Sequence, residues 1–154
     1  YLISKVTYKT EMSMKRRLLI DMFAMVFTSC SLDDAPIGQE FQFVILPIEE
    51  VIMPDSFSEG NYYTIEYSYY KPSTCHSFNE LYYLAEGDYR TVAVINTVLE
   101  ETDDIICEPL ENELEWRTFT FQCTKDYGVY VFQFWQGQNE DGEDIYLVAE
   151  IPVN

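Results

Sequence analysis

Tyr63, Ile65, Tyr67 and Tyr69 alternate with Thr64, Glu66 and Ser68, and this period of two recurs through most of the chain. A β-strand points successive side chains to opposite faces, so such alternation builds half-buried strands, whereas a helix repeats every 3.6 residues. Phe41, Phe43 and Ile45 alternate in the same way with Glu40, Gln42 and Val44. Val92 and Val94 alternate with Ala93 and Ile95, and Phe119, Phe121 and Cys123 with Thr118, Thr120 and Gln122. Further strands are expected at 50–53, 77–84, 129–136 and 145–153, and no stretch carries a helical period of any length. The composition suits strands, with 13 tyrosines and 10 phenylalanines, because aromatic rings pack well on a pleated surface.

Between these runs lie turn signals: a polar stretch at 55–61, Lys71-Pro72-Ser73, Glu86-Gly87-Asp88, an acidic loop at 100–115, and a hairpin turn at Asn139-Glu140-Asp141-Gly142. Seven or eight short strands within residues 40–154 predict an all-β fold, a two-sheet antiparallel sandwich; a small β-barrel or jelly roll is the alternative. Asp126, Gly128, Tyr130 and Phe132 have the spacing D-x-G-x-Y-x-φ. This resembles the corner before strand F of immunoglobulin-like domains. The resemblance implies that Tyr130 bonds backbone across the turn and that Phe132 points inward, where those domains carry a disulfide cysteine.

The stretch from Met14 to Pro36 has a different character. Lys15, Arg16 and Arg17 precede an apolar run from Leu18 to Phe27, the layout of a secretory signal and too short to span a bilayer. Phe27-Thr28-Ser29-Cys30 resembles the lipobox of bacterial lipoproteins, with Phe27 where leucine is usual and Asp21 within the apolar run. Ser31, Asp33 and Asp34 then resemble the acidic surface-export tag of Bacteroidota lipoproteins. The resemblance implies an upstream extension at 1–13, a signal peptide at 14–29, a lipidated Cys30 with a tether to residue 39, and a domain at 40–154. It also implies an outer-membrane location, with the lipid as anchor and the domain exposed at the cell surface or, as the alternative, held on the periplasmic face.

Charge divides along the same line. Five of nine basic residues precede Cys30, so from Cys30 onward 4 basic residues face 25 acidic ones. Phosphate recognition depends on Lys and Arg, so nucleic acid is excluded as a partner. Attraction of the domain to anionic lipid is disfavoured for the same reason. The acidity keeps a secreted domain soluble, or offers a surface to cations or basic partners.

With Cys30 lipidated, Cys75, Cys107 and Cys123 remain. Cys123 shares a face with Phe119 and Phe121 and reads as a buried free thiol, which leaves Cys75 and Cys107 as the expected disulfide, with Cys107–Cys123 as the next choice. Cys75-His76 does not form a nucleophile–base pair, because neighbours on a strand point apart, and His76 is the chain's single histidine. Zinc at Cys75, His76 and Cys107 fails on ligand number and spacing. Asp141, Glu143 and Asp144 are weak calcium candidates, since hard cations take several oxygen ligands, although the spacing does not match a twelve-residue calcium loop.

No catalytic constellation stands out and no cofactor is implied. The expected role is a non-enzymatic binding or structural module contacting protein or glycan. One alternative is a carbohydrate-active enzyme or its accessory subunit, using acidic loop residues and aromatic ones such as Trp116 and Trp135. Another is a calcium-stabilised adhesion domain.

Overall fold

A computed structural model describes residues 40–154. The expected extension at 1–13, the leader at 14–29, Cys30, Ser31, Asp33, Asp34 and the tether to residue 39 lie outside the described residues.

Eight strands follow in chain order: β1 (Phe41–Leu46), β2 (Glu50–Ile52), β3 (Tyr62–Tyr70), β4 (His76–Glu86), β5 (Tyr89–Leu99), β6 (Leu114–Gln122), β7 (Gly128–Gln138) and β8 (Asp144–Val153). They form two open sheets, consistent with a β-sandwich. The larger has five strands. β4 pairs with one edge of β5, while β1 and β7 share the other, β1 along residues 94–99 and β7 along residues 89–92; β8 follows β7. The smaller sheet has the order β2-β3-β6.

One expectation is corrected. β5 and β7 pair in parallel, so the large sheet is mixed rather than antiparallel, and the topology is not specifically immunoglobulin-like. The chain leaves the large sheet after β5, forms β6 in the small one, and returns as β7. Two reversals restore the original direction, so β7 lies parallel to β5.

The core lies between the sheets, where each strand turns its apolar set inward: Ile65, Tyr67 and Tyr69 from β3, Val92 and Val94 from β5, Phe121 from β6, and Tyr130, Phe132 and Phe134 from β7. Burying a side chain of this size contributes about 1.5–3 kcal/mol. At Pro47 the chain passes from one sheet to the other: Ile48 N–H donates to Trp135 O at 2.9 Å and Glu49 N–H to Ser68 O at 2.8 Å.

The stretch 55–61, expected as a polar turn, holds one of the most buried residues of the fold. Phe57 is fully buried, and its ring centroid lies 4.7 Å from Tyr63, 4.8 Å from Phe121, 5.9 Å from Tyr130 and 6.0 Å from Phe132. Its backbone ties the segment to the end of β8, with Phe57 N–H donating to Pro152 O at 2.9 Å and Asn154 N–H to Phe57 O at 2.8 Å. This segment closes one flank of the sandwich.

Candidate functional site

Tyr130 occupies the corner the sequence pattern marks. Its hydroxyl accepts from Thr124 N–H at 3.1 Å across the turn, its ring is buried, and Phe132 points into the core. Arg90 and Lys125 lie over the ring, 4.8 Å and 4.5 Å from its centroid, and Lys125 also pairs with Asp88. This cluster fixes the turn before β7.

Cys75 and Cys107 form a disulfide with Cα atoms 5.2 Å apart, closing the base of the acidic loop onto the start of β4. Cys123 is free and buried. His76 Nδ1 is 2.8 Å from the Ser73 hydroxyl. Burial, with Lys71 as a second cause, holds the His76 imidazole below its ordinary value. With both neighbouring cysteines oxidised, neither a Cys75–His76 nucleophile pair nor a zinc site on these three residues can form.

The three calcium candidates take different partners within the hairpin. Glu143 accepts from Asn139 Nδ2 at 3.1 Å, whereas Asp144 accepts from Trp135 Nε1 at 2.9 Å and Gln138 Nε2 at 3.1 Å. Asp141 N–H and Glu143 N–H both donate to the Asn139 side-chain oxygen, at 3.0 Å and 2.9 Å. Asn139 thus organises the hairpin, and Asp144 turns away onto the sheet face. Among the described residues no group of three potential metal ligands converges.

That sheet face carries the most distinctive surface of the domain. Strands in a two-layer sandwich normally present a polar outer side. Here the outward residues of the five-stranded sheet are largely apolar: Phe43, Ile45, Tyr82, Leu84 and Val148 are exposed. Registers place Tyr82 opposite Ala93, and Trp135 opposite Tyr146, while Trp135 follows the β7 residue paired with Val92. A row Tyr82–Ala93–Trp135–Tyr146 therefore crosses four strands, with the one small side chain between aromatic walls. The result is a trough of about 580 Å³, with Ala93, Thr91, Ile95 and Ile45 along its floor.

Its rim is polar. Asp144 and Gln138 stand at one end and Glu86 at the other. The Trp135 indole, and after it the Gln138 amide, hold the Asp144 carboxyl below the usual carboxylate range, so it is an anion at neutral pH. Glu86 pairs with Tyr89, in line with Val131, while Asp144 pairs with Gln138 at the far end of β7. Three strand spacings and about six residue rises then separate them, roughly 20 Å or more between Cα atoms. Glycoside-cleaving pairs need about 5–9.5 Å, so these two carboxylates are not such a pair.

Trp116 faces outward on the other sheet and is half exposed, so the two tryptophans serve different surfaces. Of the trough residues, sequence reasoning singled out Trp135 and Asp144 but not Tyr82, Leu84, Tyr146 or Ile45. A usable signal existed. Tyr82-Tyr83-Leu84, Val92-Ala93-Val94-Ile95 and Phe134-Trp135 are apolar on both faces, more than a one-sided strand requires.

On the inward side of β6, where both remain partly exposed, Arg117 pairs with Glu115, donates through Nε to Tyr69 OH at 3.4 Å, and lies 4.0 Å over the Phe78 ring. Burial pushes the neighbouring Tyr67 hydroxyl up to about 12. Comparison with protein-family models, with curated proteins and with solved structures finds no match to this chain.

Proposed function

We propose that the domain is a non-enzymatic binding module of a bacterial cell envelope that holds a glycan in the trough on its five-stranded sheet. The observation that carries this reading is the Tyr82–Ala93–Trp135–Tyr146 row with Asp144 and Gln138 at its rim. Sugar rings have apolar C–H faces and hydroxyl edges. Aromatic walls bury the faces at low entropic cost, and a carboxylate and an amide accept and donate at the edges. The indole–Asp144 bond fixes the ring and the carboxylate together before any ligand arrives, which reduces the ordering cost of binding.

An array of bacterial, plant and host glycans probed with the purified domain tests this. Retention of one glycan class, weakened at least tenfold by Trp135→Ala and by Tyr82→Ala in folded protein, is the expected result. No retention on any glycan, or retention indifferent to both substitutions, refutes it. Lipid attachment at Cys30 and surface display rest on the sequence of residues 14–34. Cys30→Ala should release the protein from membranes in a lipoprotein-processing host; unchanged membrane retention overturns the anchor.

A further inference from the structure

The two sheets differ in width, and the difference falls on one flank. On the β8 side the Phe57 segment covers the opening. On the β4 side, among the described residues, nothing does. There Leu81, Tyr83 and Ala85 of β4 face inward beyond the limit of the small sheet, and with Phe119 and Phe121 of β6 they line a groove of about 460 Å³. A fourth strand in the small sheet, next to β6, would lie directly under them.

β6 is also an edge that is protected over only its first half. Exposed edges are normally blunted by charged side chains, inward-pointing ones included, by a bulge, by proline or by shortness. β2 has three residues, β8 carries Asp144, Glu150 and Pro152, and β4 has a bulge between Phe78 and Glu80 along with outward Glu80 and Glu86. β6 runs nine residues and pairs only with β3, without a bulge, and its outward side is Trp116, Thr118, Thr120 and Gln122. Its two charges, Glu115 and Arg117, lie on the inward side of its first half and pair with each other, which leaves Thr118–Gln122 without charge or proline; half of the backbone N–H and C=O groups there point away from β3 toward the groove.

We propose that β6 accepts an extended strand from a partner protein, which completes the small sheet and fills this groove. The occupant is specified by what it would touch. At about 3.3 Å per residue, the groove from Leu81 to Ala85 takes five or six residues. Alternate side chains enter between β4 and β6 and are apolar; the others face solvent. The ends differ in charge. Glu111 and Glu113 precede β6, whereas Arg90 and Lys125 stand at its far end, and Arg90 has no carboxylate partner among the described residues. The partner strand therefore carries Lys or Arg beside the Glu111–Glu113 end and none beside Arg90. A second copy of this chain is disfavoured, because residues 40–154 hold 4 basic against 23 acidic residues and two such domains repel.

A random nonapeptide display library, panned on the purified domain, tests the proposal. The expected result is enrichment of sequences alternating apolar and polar residues with a basic residue at one end. Thr120→Lys, which charges the edge, and Ala85→Trp, which fills the groove from β4, should each reduce binding of an enriched peptide at least tenfold. Amide exchange should slow within Leu114–Gln122 when that peptide binds. No enrichment, enrichment without alternation, or binding unchanged in both folded variants overturns the proposal. So does concentration-dependent dimerisation that Thr120→Lys abolishes, which would make the occupant a second copy.

Discussion

Phe57 is the residue whose removal should reveal most about how this sandwich holds together. Its side chain is fully buried and contacts four other rings. Truncating a core phenylalanine costs about 3–5 kcal/mol, and the value depends on how far the surroundings collapse. Here they collapse little: Tyr63, Phe121, Tyr130 and Phe132 are stiff rings on strands, and Tyr130 is held by its bond to Thr124. The upper part of that range applies to Phe57→Ala, about 4–5 kcal/mol. For a domain of this size that corresponds to a fall in Tm of roughly 15–20 °C. Phe57→Leu keeps most of the volume and loses the ring–ring geometry, so about 1–2 kcal/mol is expected. Urea unfolding with an unchanged m-value measures both. Faster amide exchange at Asn154, whose N–H is donated to Phe57 O, reports the loosened flank. A loss below about 2 kcal/mol for Phe57→Ala would refute the reasoning, because the segment would then be a surface loop rather than the seal of one flank.

Replacing Cys75 and Cys107 together by Ser opens a loop with a sequence separation of 32, and should lower unfolding free energy by about 3–4 kcal/mol in non-reducing urea titrations. Asn96 is fully buried, and neither its side-chain oxygen nor its nitrogen has a hydrogen-bond partner within the protein; Asn96→Leu should therefore stabilise by about 1–3 kcal/mol, and a destabilised variant would mean the amide is bonded to internal water. Tyr67, at about 12, and Tyr69 and Tyr83 have hydroxyls raised by burial. A raised folded value means the fold resists ionising them, so stability is complete below pH 10 and is lost as pH rises toward 12, which unfolding followed by tyrosinate absorbance would register. His76 has the opposite sign: its folded value is lowered, so its contribution is present above about pH 6.5 and is lost as pH falls, and His76→Gln should flatten that part of the stability profile.

Strand positions were legible from the period of two. The inward sets at Tyr63, Ile65, Tyr67 and Tyr69, and at Phe119, Phe121 and Cys123, follow from spacing alone, because the backbone turns alternate side chains to opposite faces whatever the partner strand. The Tyr130 corner was legible too, since its bond to Thr124 closes over six residues. Phe57 was not: a lone aromatic among Asp55, Ser56, Ser58 and Glu59 has no periodic neighbours, and only strands distant in sequence give it a place to go.

Sequence by itself therefore determined the all-β class, the faces of individual strands and the residues available for a disulfide, all of which depend on local geometry and residue chemistry. Tertiary structure alone decided that β7 lies parallel to β5, that Ala93 sits between Tyr82 and Trp135, and that β4 overhangs β6. Those are relations between strands far apart in the chain. Alternation records which face a side chain takes, and it carries no record of which strand lies beside it.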